Sequence, residues 1–386
     1  MYSKLKFSYK HKTRWKMLIK SYSLILLILL IINSCAKSQT PKDELTKDSF
    51  SDYQSGLILN DLAEDLSIGI KEGDENYVLF KPTDIVIDSD SNIYILDSSI
   101  ECIRKYNSNG IFTKNIGNKG QGPGEFLQLK LIEIQDDNIF ALDDMLRKIE
   151  IIDLHNYNSR SIRFRHEIDR FVPLQNEKIY IGYFSQIKDN SGKYKRIYLI
   201  NLYDRIEGLE TPIFSGTKFR KQIILKEILN NRTLIISTAI VYPWATNSLN
   251  HLYLLDLDED KVIVISSSGS VLFKFNCYLI ATNSKKNDFL DHKKRTKRDI
   301  LNSRYIPEYI IVDDVDRVWV LFTPNLDKKS PNEITYFNVF SSEGKYLFST
   351  KLNEKIYFQP VIKRNYLYFI TYIKDDYPAV KRARLN

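Results

Sequence analysis

The chain has 386 residues, 43% of them apolar and 12% aromatic, which excludes a disordered or fibrous chain and leaves room for two ordinary domains or one large all-β domain. The net charge of +8 suggests a polyanionic partner, but seven Lys and Arg and no acid precede Cys35, so the remainder carries only about +1 and the electrostatic case for nucleic acid disappears. Three cysteines, Cys35, Cys102 and Cys277, exclude a disulfide framework.

A basic stretch ends at Lys20 and is followed by an unbroken aliphatic run over residues 24–32, then Asn33-Ser34-Cys35. Basic flank, short apolar run and small residue are the parts of a secretory signal, and the run is too short to span a bilayer, which takes about 20 residues. Translation from Met1 or from Met17 leaves the signal intact. Ile32-Asn33-Ser34-Cys35 resembles a bacterial lipobox, with Asn33 a loose fit. The resemblance implies cleavage before Cys35 and acylation of the new N-terminus. Residues 1–34 are therefore expected to be a lipoprotein signal peptide, residues 35–56, almost without apolar side chains, a flexible tether, and residues 57–386 the folded domain.

One short unit recurs through that domain: a polar residue, an aliphatic and an aromatic. The aromatics are Tyr94, Phe140, Tyr180, Tyr253, Trp319 and Tyr368, spaced 46, 40, 73, 66 and 49 residues apart. An alternating strand and a polar turn precede the unit, as in Asp84-Ile-Val-Ile87 with Asp88-Ser-Asp-Ser91, and a third strand and a glycine turn follow it at Gly110, Gly269 and Gly344. Each unit reads as a four-stranded meander, here strands A to D. The period matches propeller blades of about 40–50 residues, the two long gaps being insertions. Blades are expected at 83–117, 129–164, 170–214, 225–276 and 307–352. A sixth, from Phe358 to Leu385, has three strands and is completed by the segment from Leu57 to Ile68. This ring leaves no open edge. Residues 233–238 are a spare strand without clear partners, the one hint of a seventh blade.

The run Asp88-Ser-Asp-Ser-Asn-Ile-Tyr-Ile-Leu-Asp97, with Ile103-Arg-Lys-Tyr106 and Gly117-Asn-Lys-Gly-Gln-Gly-Pro-Gly-Glu-Phe126, resembles an NHL-type repeat. More narrowly the chain is similar to the six-bladed propeller lipoproteins of the Bacteroidota. The resemblance implies the fold and the anchor, and no particular reaction.

Candidate site residues fall into four groups. Gln121 and Glu125 lie in a glycine-rich D–A loop whose backbone N–H groups can approach a ligand, although the same composition suits a plain blade connector. Asp97, Asp143 and Asp256 each follow the repeat aromatic by three residues; carboxylates at one level of a ring can bind a cation or sugar hydroxyls, or cap the next turn. Trp244, in an expected irregular loop, offers a face for a sugar ring or plugs a gap. Asp84, Glu133 and Glu308 lie in or beside inner strands and are the candidate channel carboxylates, the residues a divalent metal would need. None of the five histidines lies in an inner strand or has ligand spacing, and no metal or other cofactor is expected. Lys285, Lys286 and the basic run from Lys293 to Arg298 mark a solvated insertion. Cys102 and Cys277 belong to opposite blades and are expected to be unpaired, buried thiols.

The expected function is that of an exported, lipid-anchored envelope protein, of the outer membrane by its type, binding a glycan, peptide or envelope protein on the face that carries the B–C and D–A loops. A metal-dependent lactonase-like hydrolase or lyase, and a non-catalytic scaffold, are the alternatives.

Overall fold

The computed structural model describes residues 62–189, 191–216, 220–229, 232–240, 243–256, 261–277, 305–324, 334–373 and 376–385. The chain divides into a unit of residues 1–52 and a unit of residues 53–386, and every described residue belongs to the second. The expected signal, Cys35, the tether and the basic run 285–298 lie outside the described residues.

Six four-stranded antiparallel sheets follow one another along the chain. Blade one is Pro82–Ile87, Ile93–Asp97, Cys102–Tyr106 and Phe112–Ile116. Blade two is Leu129–Gln135, Asn138–Asp143, Lys148–Asp153 and Ser159–Arg163. Blade three is Arg170–Leu174, Lys178–Lys188, Tyr194–Asp204 and Leu209–Gly216. Blade four is Trp244–Thr246, Leu252–Asp256, Lys261–Ile265 and Val271–Asn276. Blade five is Tyr305–Val312, Val318–Pro324, Thr335–Phe340 and Tyr346–Leu352. Blade six is Val361–Lys363, Tyr366–Ile373 and Tyr377–Arg384, with Ala63–Ile68 added as its outer strand. The fold is a six-bladed β-propeller closed by an N-terminal strand, as expected.

Two details differ from the expectation. Blade four opens at Trp244, not at 225. The strand Arg232–Ile240, which contains the spare segment 233–238, pairs with Arg220–Leu229 as a separate two-stranded hairpin between blades three and four. The rest of the long gap goes into blade three, whose B and C strands are 11 residues each. Two long partners satisfy each other's backbone, so no seventh blade is needed.

The B strands are nearly continuous apolar runs because both faces of each blade are covered by neighbours; Ile93–Asp97 is buried at every position. Outer strands alternate or are largely exposed, as in Phe112–Ile116. Among the described residues, the buried apolar side chains form six clusters, one at each junction between blades.

The repeat has a physical basis in the A–B turns. In blades one, four and five, an Asp or Asn six residues before the aromatic accepts hydrogen bonds from the backbone N–H groups two and four residues on. Asp88 accepts from Asp90 and Asn92, Asn247 from Leu249 and His251, and Asp313 from Val315 and Arg317. The same side chain then meets the aromatic: Tyr94 Oη donates to Asp88 at 2.9 Å, Trp319 Nε1 to Asp313 at 2.9 Å, and Asn247 Nδ2 lies 3.4 Å from Tyr253 Oη. Blades two, three and six use two-residue hairpins instead, with both central residues at positive φ: Asp136-Asp137, Asn176-Glu177 and Arg364-Asn365. Neighbouring turns are laced together by Ser248 with Asp316, Asp314 with Arg364, and Arg364 with Ser91.

Replacing Asp313 by alanine leaves the buried Trp319 N–H and the turn donors without an acceptor. It should lower the unfolding free energy by about 2–4 kcal/mol, whereas Asp90→Ala, on an exposed residue of the equivalent turn, should change it by less than about 0.5 kcal/mol. Equal effects in denaturant titrations of the two variants would remove the turn from its structural role.

Candidate functional site

In each blade strand A is innermost, and the inner strands of adjoining blades pack against one another around the axis. Asp84, Arg170 and Tyr309 sit at one level of this ring: each lies opposite the B-strand residue two after the repeat aromatic. Glu133 lies opposite Phe140 itself, two residues further from the loop face. Register shifts occur at Pro82/Asp84, Leu129/Leu131 and Pro307/Tyr309, so three inner strands carry a bulge at the same height. Bulges re-aim side chains, and here they deliver polar groups toward the axis of an otherwise apolar fold. The level lies at the start of the inner strands, toward the face of the D–A and B–C loops.

Arg170 is the electrostatic centre. It donates from Nη1 to Gln359 Oε1, on the segment leading into the blade opposite. Its guanidinium lies 5.3 Å from the ring centre of Trp244. Its charge acts on Asp84, Glu133, Asp169 and Tyr309. Asp84 accepts the Ile132 N–H at 2.8 Å and the Ile85 N–H at 3.0 Å, tying blade one to blade two. Burial pushes its carboxyl up to about 7, against the pull of those two N–H groups and of Arg170. Burial pushes Glu133 up to about 8, against Arg170 and with a further push from Asp84. Both residues nonetheless are half-buried rather than sealed from solvent. Asp169 is also raised, by burial, against Lys130 and Arg170. The Tyr309 phenol, hydrogen-bonded to the Tyr357 carbonyl at 3.3 Å, is pushed far up by burial and by neighbouring Glu308. Arg170 thus stands among acids that burial makes hold their protons more tightly than usual. Among the described residues no three His, Cys, Asp or Glu side chains converge as a metal site.

A family model for six-bladed β-propellers, DUF5128, matches residues 74–377. The chain belongs to this family. No curated protein matches the sequence. Among solved structures, this DUF5128 propeller is similar to a DUF4221 member from Bacteroides vulgatus (TM-score 0.55, 12% identity, 84% of this chain and 97% of that one). It is also similar to a Bacteroides fragilis protein whose name assigns it to export (TM-score 0.50, 12% identity, 84% and 95%). At such identities the likeness is one of fold.

In this DUF5128 propeller the predicted loop residues serve the architecture. Glu125 folds back on its own loop, accepting the Gly122 N–H at 2.8 Å and Asn118 Nδ2 at 3.3 Å. The Gly124 N–H goes to Glu150 at 3.1 Å, and Lys148 donates to the Glu125 carbonyl at 3.0 Å and to Glu150 at 2.8 Å. Burial pushes Glu150 up, but its hydrogen bonds from Lys148, Ser161, Ser159 and Gly124 outweigh this and hold it below the usual range. Two glycine N–H groups are taken up internally, so the loop is a fastened connector and Glu125 is part of the fastening. Gln121 is exposed on it.

Of the two readings of Asp97 and Asp143, the structure shows the capping of backbone N–H groups. Both are fully buried. Asp97 accepts the N–H groups of Phe80 and Lys81, each at 3.0 Å, and lies 3.4 Å from the buried Arg104. Asp143 accepts those of Leu127 and Leu146 at 2.7 and 2.9 Å. Each pins the strap that enters its own inner strand, leaving no oxygen for a ligand. Asp256 ends the B strand of blade four and is buried at the same offset. Trp244 is not in a loop: it opens the inner strand of blade four, is fully buried, and meets Tyr180 edge-on at 6.4 Å. It acts from beneath, as the platform for Arg170.

Of the predicted channel acids, Asp84 and Glu133 come together, and Glu308 stands beside Tyr309 in the blade-five bulge. Arg170, Tyr309 and Gln359 are absent from the predicted set. The signal for Arg170 is its place at the head of the blade expected from 170, where a side chain of either charge faces the axis. Cys102 and Cys277 are buried free thiols, the former pushed up to about 11 by burial.

Asp84 and Glu133 bind a proton more tightly in the folded chain than in the unfolded one. Folded molecules therefore hold more protons between the usual carboxylate range and about pH 8, and stability falls as pH rises through that window. Thermal midpoints should decline up to about pH 8, and the double variant Asp84→Asn, Glu133→Gln should lose that part of the decline. An unchanged slope in the variant would show that these acids are ionised throughout.

Proposed function

We propose that this propeller is exported, held to the cell envelope by a lipid on Cys35, and binds a small polar ligand in its channel from the face of the D–A and B–C loops. The basic flank, apolar run and Ile32-Asn33-Ser34-Cys35 support the anchor. Two or more acyl chains at about 0.8 kcal/mol per CH₂ hold a protein firmly. The observation that carries the binding role is the polar cluster itself: four blades deliver Asp84, Glu133, Arg170 and Tyr309 to one end of the channel. Their burial costs free energy that an all-apolar wall would not incur. The cluster lies toward the D–A and B–C loops, which makes the loop face the nearer way in.

A second reading has a specific observation in its favour. Carboxyls held near 7 and 8 can give and take protons at neutral pH, as a hydrolase or lyase requires.

Two measurements test the proposal. Cys35→Ser should move the protein from the membrane fraction to the soluble fraction and abolish incorporation of labelled palmitate; retention in the membrane with no label would rule out the anchor. A thermal-shift screen of sugars, sugar acids, peptides and divalent metals should find a ligand whose stabilisation is lost in Arg170→Gln. A ligand that is consumed moves the assignment to the enzyme, and a stabilising ligand indifferent to Arg170 moves the site out of the channel.

A further inference from the structure

We propose that Arg170, Glu133 and Asp84 form a receptor for the carboxylate group of a small, singly charged ligand. This rests on the channel-binding reading and names the chemistry of its ligand.

The guanidinium of Arg170 is fixed before any ligand arrives, with Trp244 against it and Gln359 accepting from one edge. Its Nε is buried without a hydrogen-bond partner, and among the described residues no carboxylate lies within ion-pair distance of it. A half-buried guanidinium with a buried, unpartnered Nε–H and no carboxylate at ion-pair distance is a site for an anion. Glu133 hydrogen-bonds to none of the described residues and as a residue is half-buried. As a neutral acid it has an O–H to donate. The guanidinium and this O–H supply donors of the two kinds a carboxylate accepts best, and Asp84 stands beside them at the level of Arg170.

Charge narrows the ligand. Below about pH 7, where Asp84 and Glu133 carry their protons, Arg170 is the full charge among these three side chains, which balances a monoanion. A divalent cation is opposed by Arg170, and a dianion is left half-matched. Of the other groups around Arg170, burial raises Tyr198 and Tyr309, which are neutral near neutrality, and raises Asp169, which lies 3.9 Å from Lys130; Glu308 acts on the same Tyr309. As pH climbs past about 8, Glu133 and Asp84 turn from donors into like charges, so affinity must fall with rising pH.

The test is isothermal titration calorimetry on the full chain in detergent with acetate, glucuronate, glucose and calcium chloride. Acetate and glucuronate should bind saturably at about pH 6 and at least about tenfold more weakly at about pH 9, while glucose and calcium do not bind. Arg170→Gln should weaken carboxylate binding at least about tenfold. Glu133→Gln, which keeps a donor and loses one of the two titrations, should still bind at low pH with a smaller pH dependence, the remainder being that of Asp84; it decides the matter if Arg170→Gln fails to fold. Glucose binding as well as glucuronate, or calcium binding that tightens with pH, overturns the proposal while leaving a ligand-binding channel. A folded Arg170→Gln that binds as the wild type does overturns it also. Silence from both carboxylates overturns it too, and the thermal-shift screen then tells whether the channel binds something else.

Discussion

The ring stands on one antiparallel pairing that joins the two ends of the folded chain. Ala63–Ile68 lies against Tyr377–Arg384, and without it blade six would end in an open edge. Side chains reinforce the pairing. Arg382 grips Asp65 through two parallel bonds of 2.8 and 3.1 Å and reaches the Ser108 carbonyl of blade one; Lys381 lies 2.9 Å from Glu64 and also meets Glu354. Gly69, at the exit of the strand, has φ +140°, and a Cβ there would stand 2.6 Å from the Pro378 carbonyl oxygen. The chain can leave the closing strand and turn toward blade one only because that residue has no side chain.

Closure matters because a blade cannot bury its own faces. Each is a single layer whose two surfaces are covered by the blades before and after it, so the apolar clusters belong to junctions rather than to blades. An unclosed ring would expose two of these surfaces as well as a strand edge. The same geometry explains why polar groups can gather at the axis. Inner strands meet edge-on around it and their backbones are already paired outward, so bulges can turn a side chain inward without breaking the blade junctions. The cost falls on the acids, which keep their protons.

Much of the fold was legible in the sequence because the repeat is a hydrogen-bonded motif. The Asp88–Tyr94 and Asp313–Trp319 pairs bind turn and strand together, so both residue types recur at a constant spacing. Blades three and six lack that acceptor and use tight hairpins, which have weak sequence signatures, and there only the period reveals the blade. The start of blade four was hidden because its inner strand is three residues long, with Trp244 following a proline and reading as loop. The site was less legible for a related reason. The aspartates that repeat most regularly, Asp97 and Asp143, are structural because every blade must fasten its incoming strap. Side chains that do not repeat, Arg170 above all, are the ones that a uniform scaffold leaves over for a particular task.

Chain direction separates the two proposed activities in space. Outer strands run from the turn face to the loop face, so Ala63, the first residue of the closing strand, lies at the turn face and Ile68 nearer the loops. The chain enters the ring at the turn face. Asp84, Arg170 and Tyr309 belong to the other end, because inner strands run the opposite way and these residues come early in them. The chain's point of entry and the charged end of the channel thus lie on opposite faces of the ring, so the proposed anchor and the proposed site make no demand on the same surface.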